Sequence, residues 1–126
     1  MCFMSENLSQ KLKFKRSREF VSVSGIGQST KRCKQSVVAR VKSRVSDFSV
    51  QEVFYVLPQL TVNLPTSRIF THNLNIPQAI DLEDPHFSEP GSICLIIGAA
   101  LFFELLKEEK MEMNDNSLTI QMTELG

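Results

Sequence analysis

Between residues 37 and 45 the chain alternates with period two: Val37, Ala39, Val41 and Val45 at odd positions, Arg40, Lys42 and Arg44 at even ones. Successive side chains of an extended strand point to opposite faces, so this pattern predicts a strand with one apolar face and one cationic face. No helix satisfies it, because a helical stripe needs spacings of three and four. Upstream, Phe20 to Ser24 (FVSVS) alternates and is β-branched, and it runs into Gly25-Ile26-Gly27-Gln28-Ser29-Thr30. Two glycines around one apolar residue, followed by small polar residues, predict a hairpin tip. The constraint that follows is an antiparallel hairpin with a basic outer surface.

The remaining segments add to a mainly β chain with two short helices. Ser5 to Leu12 predicts a helix capped by Ser5, with Leu8 and Leu12 as its apolar edge. Asp47 offers a turn into a second strand, Val50 to Leu57, apolar enough to be buried on much of both faces. From Pro58 to Pro90 the five prolines fall in a stretch without periodicity, which predicts a long irregular loop over 58–92. Ile93 to Ile97 reads as a buried strand, Ala99 to Lys110 as a helix, and Leu118 to Met122 as a last strand. One domain over 1–126 accommodates all of this, since 126 residues can enclose one core without metal or disulfide staples.

Charge is distributed unevenly. The formal net charge is zero, yet residues 1–50 hold eleven Lys/Arg and three Asp/Glu, a net of +8, and residues 51–126 carry the compensating −8. Two halves that face one another, or that face a partner copy, would have this distribution. Contact of the basic half with nucleic acid is a weaker expectation, because few aromatic side chains, Phe14 and Phe20, lie among the cations of residues 11–44. The longest apolar run, Ile93 to Phe103, falls well short of the roughly 20 residues of a membrane span, and no secretory leader is visible. The expectation is an intracellular chain without membrane contact.

Chemistry is sparse. Cys2, Cys33, Cys94, His72 and His86 never fall at zinc-ligand spacing, so no metal and no cofactor are expected. Cys94 reads as a small core residue, and both histidines as solvent-facing. Gly25-x-Gly27 lacks a third glycine, and Thr30-Lys31 does not complete a phosphate loop. Asp81, Glu83 and Asp84 read as a solvated turn. A carboxylate that shares a proton with a second one can activate water for peptide hydrolysis, and a tight Asp-Ser/Thr-Gly turn holds it. None of Asp47, Asp81, Asp84 and Asp115 lies in such a triplet. No catalytic residue is therefore assigned.

The absence of that triplet matters because the chain resembles the retropepsin-like aspartic peptidase domain of BEL/Pao-type retrotransposon polyproteins. Cys2-Phe3-Met4-Ser5-Glu6-Asn7-Leu8 is similar to the segment that follows the family's catalytic Asp-Ser-Gly-Ser. Val21 to Gly27 is similar to its flap hairpin, here spanning about 20–38. Ser43 to Phe48 and Val56 to Thr61 resemble the next strand and its exit. Leu82 to Phe87 resembles Leu-Ala-Asp-Pro-x-Phe, Ile93 to Ala99 resembles Ile-Asp-Ile-Leu-Leu-Gly-Ala, and Thr123 to Gly126 resembles the start of the closing strand. Cys94 and Ala100 stand where the family usually carries Asp.

The resemblance implies an incomplete retropepsin-like β-barrel, truncated before the catalytic triplet and so unable to hydrolyse peptides as written. It implies that Gly25, Ile26 and Gly27 form a flap tip over a peptide or polyprotein substrate. Ile96, Ile97, Gly98 and Ala99 would pack beneath the active-site floor, and a homodimer would be the ancestral working form. Two alternatives stay open: a non-catalytic peptide-binding or dimerisation module, and a nucleic-acid-contacting fragment using the basic half.

Overall fold

The computed structural model describes residues 1–25, 30–113 and 118–126. It is mainly β, with two short helices. Strand β1 (Cys2–Ser5) leads into helix α1 (Glu6–Lys11); β2 (Arg16–Ser24), β3 (Thr30–Lys42) and β4 (Ser49–Leu57) follow. After a long irregular stretch come β5 (Leu95–Ile96), α2 (Ala99–Leu105), β6 (Leu106–Met113) and β7 (Leu118–Thr123). The first five strands form one sheet in the order β2-β3-β4-β1-β5, and β6 and β7 pair separately. Neither sheet closes, so no barrel is seen among the described residues; β2 and β5 are free edges.

Alternation builds the core. Strand β3 buries Cys33, Val37 and Ala39 from its odd positions. Phe54 and Val56 of β4 and Cys2 and Met4 of β1 occupy the same face, since Val37 and Cys2 both pair with Phe54 and Met4 pairs with Val56. Helix α2 covers that face with Leu101 and Leu105. Phe54, fully buried, sits at the centre. A side chain of this size removed from water contributes about 2–3 kcal/mol to the sheet-helix contact.

Several expectations are corrected. Val45 lies beyond β3 and is 42% exposed, because the chain turns at Ser43, whose hydroxyl accepts hydrogen bonds from the Val45 and Ser46 amides. Helix α1 begins as predicted, with the Ser5 hydroxyl accepting from the Leu8 amide at 3.3 Å. Its buried residue, however, is Ser9, while Leu12 is exposed, because the helix ends at Lys11. The strand expected over 93–97 keeps only Leu95–Ile96, which pair with Met4 and Phe3 of β1, the one strand beside it in the sheet. Cys94 is only partly buried.

The helix expected to reach Lys110 stops at Leu105, and Leu106–Met113 is a strand paired with β7. Its charged residues favour helix locally, but Met111 opposite Ile120 and Met113 opposite Leu118 give it apolar cross-strand partners. The ion pairs do not join the two charge halves. Among the described residues they are Arg16–Glu6, Arg68–Glu89 and Lys107–Glu124, each within one half. Arg44 does reach across, but it donates to the backbone carbonyls of Leu82 and Glu83.

Candidate peptide-binding cleft

Two segments expected at the site come together, although most of the chain separates them. Gly25 at the end of β2 and Ile96 in β5 line one cleft of about 210 Å3 with Phe3, Val23, Lys31, Leu57 and Leu60. Sheet register explains the floor. Phe3 pairs with Tyr55 on one side and Ile96 on the other, on the face opposite the core. The Phe3 and Tyr55 rings stand 6.3 Å apart, tilted at 49°. The wall is the hairpin, where Val23 pairs with Lys31 close to its tip. Ile26 and Gly27, the rest of the expected flap tip, lie outside the described residues.

The other expected floor residues sit at the helix junction behind Ile96. Ile97 packs against the core cluster, and Ala99 opens α2 on its exposed side. Gly98 is held against the start of the chain. Its amide donates to the Cys2 Sγ at 3.2 Å, and a Cβ built on it would lie 2.5 Å from the Met1 carbonyl oxygen. Only a residue without a side chain fits there unless the backbone moves.

The lining of the cleft is chemically sparse. Its walls are apolar apart from Lys31, and among the described residues no carboxylate lines it. Cys33, opposite Val21 within the hairpin, is buried, and burial pushes its thiol up, so it is not an activated nucleophile. Asp81, Glu83 and Asp84 are solvated as expected, with Asp84 accepting from the His86 amide at 2.8 Å. His72 and His86 are exposed. Among the described residues no group of three or more His, Cys, Asp or Glu could hold a metal ion, and no helix is long and apolar enough to cross a membrane.

Sequence reasoning missed Phe3, Val23, Lys31, Leu57 and Leu60 as lining residues. For Phe3 the reason emerges only with the structure: Cys2 and Met4 point to the core, so the intervening ring must point away. Comparison with protein-family models, curated proteins and solved structures returns no match.

Proposed function

We propose that this chain is a fragment of a retrotransposon-derived aspartic endopeptidase domain of the BEL/Pao, retropepsin-like type, hydrolytically inactive as written, that retains a peptide groove. The observation that carries this reading is the meeting of Gly25 and Ile96 on one cleft. They belong to the two segments that resemble the family's flap and floor. The contact of Gly98 with the Met1 backbone and the Cys2 Sγ supports it, because the resemblance puts the catalytic turn beside Cys2. An extended peptide suits the geometry: apolar side chains fill the cleft, and the end of β2 offers unpaired backbone groups for strand addition.

The absence of any Asp-Ser/Thr-Gly triplet leaves nothing to activate water. The purified chain should therefore leave a mixture of fluorogenic peptides uncut at mildly acidic pH. Titration with short apolar peptides should move the NMR signals of Phe3, Gly25 and Ile96. Pepstatin-sensitive cleavage would refute the inactivity, and unmoved cleft signals would refute the groove.

The carboxylate-free lining also favours a second reading, a peptide-binding or dimerisation module without peptidase ancestry. The reading frame upstream of Met1 separates them: an Asp-Ser-Gly triplet encoded there selects the first.

A further inference from the structure

The sheet face that carries the even positions of β3 has a charge pattern that the peptide groove does not use. Arg32, Lys34, Arg40 and Lys42 share this face, and all four are exposed. Among the described residues none of them enters an ion pair. Register fixes their neighbours. Arg40, Val38 and Lys42 stand opposite Gln51, Val53 and Ser49 of β4, and Arg32 opposite Ser22 of β2. Glu52, the acid of β4, pairs with Ala39 and so belongs to the other face. The result is a row of cations without a carboxylate from these paired positions. Val38 and Val53, 53% and 44% exposed, form an apolar patch between the two cation pairs.

An aromatic ring completes the row. The register of β2 against β3 shifts between Arg18 and Val21, which sets two residues, Glu19 and Phe20, opposite Lys34, so that Glu19 is the one carboxylate at this end of the row. At this bulge Phe20 is 86% exposed and, with Arg32 and Lys34, borders a hollow of about 330 Å3. Along the chain the ring is far from those cations, and it is the hairpin that sets them side by side. Side chains on one face of a strand repeat at about 6.6 Å, and Arg32 to Lys42 covers about 33 Å of backbone. A linear polyanion can run along such a row. An exposed ring among the cations distinguishes a partner with flat apolar groups between its charges, which an acidic peptide lacks.

We propose that this face of β2, β3 and β4 binds single-stranded nucleic acid, with phosphates on Arg32, Lys34, Arg40 and Lys42 and a base stacked on Phe20. The inference does not rest on the peptidase reading. Fluorescence anisotropy of the full chain with a labelled oligo(dT) of about 20 nucleotides tests it, over about 25 to 200 mM salt. Four phosphate contacts predict that log K falls against log salt with a slope of about −3, at roughly 0.7 per contact. Arg40→Ser with Lys42→Ser should halve that slope. Phe20→Ser should weaken binding about tenfold and leave the slope unchanged, since stacking is not a charge interaction. All three positions are exposed, and unchanged circular dichroism would confirm that the variants fold. A slope near zero would overturn the proposal, as would a Phe20→Ser variant that binds like the parent. Binding to phosphatidylserine vesicles without binding to oligo(dT) would assign the face to a lipid surface and overturn it equally.

Discussion

Gly98, the N-cap of α2, and Gly91, bridged to Leu64, differ in their surroundings in a way that stability measurements resolve. A Cβ at Gly98 meets the Met1 backbone at 2.5 to 3.0 Å, whereas at Gly91 the nearest atom is the Glu89 carbonyl oxygen at 3.9 Å. Gly98→Ala should therefore destabilise the fold by about 1–3 kcal/mol, the usual range for a forced overlap. Gly91→Ala should stay within about 0.5 kcal/mol of the parent. Urea titrations of the two variants check this, and equal midpoints would show that Met1 moves aside freely. Gly98 as the end of an apolar strand was legible in the sequence, whereas its contact with Met1 was not. Nor was the placement of Phe20. Its role depends on a bulge opposite Lys34, and no local pattern announces a one-residue change of register.

Among the elements, α1 and β2 are tied by Arg16, which pairs with Glu6 at 2.7 Å and also donates to the Gln35 side chain at 2.8 Å. The hydrogen bond from Arg16 holds the Glu6 carboxyl below its ordinary range, and partial burial opposes that shift. A depressed carboxylate stabilises the fold above the pKa it has in the unfolded chain. The benefit fades as pH falls through the still lower folded-state value. Glu6→Gln should consequently cost under about 1 kcal/mol at neutral pH, because the pair is partly solvated, and less in acid. Melting temperatures of parent and variant should converge as pH drops below about 4; a constant gap would show that Glu6 acts through packing alone. The hairpin strands and α1 were readable because their signals are local: alternation in β3, and a serine cap followed by an acid at Glu6. The β1 strand was too short to register a period. Over Leu106 to Lys110 the local preference pointed to helix, and only pairing with β7 reverses it.

At the scale of the whole molecule, ordering is uneven. Residues 58–92 contain no helix or strand, and few backbone bonds pin them: Leu64 and Gly91 pair with each other, and the Ile69 amide donates to Ser88. Hydrogen exchange should find the amides of Leu64, Ile69 and Gly91 slower than their neighbours in the loop, and those of β4 slower still. Uniform protection across 58–92 would contradict this. The loop's existence followed from its prolines, whereas its anchors involve partners too distant for any sequence period to reveal. Among the described residues the ion pairs stay within each half, and Arg32, Lys34, Arg40 and Lys42 take no part in them.

The placement of β1 between β4 and β5 has a consequence in time. Strand β1 is synthesised before β4, with which it pairs in parallel, and its other edge stays bare until Leu95 is added. At roughly 5–20 residues per second, some 2–8 seconds separate Leu57 from Leu95. During that interval the nascent chain presents an unfilled strand edge to solvent or to a chaperone.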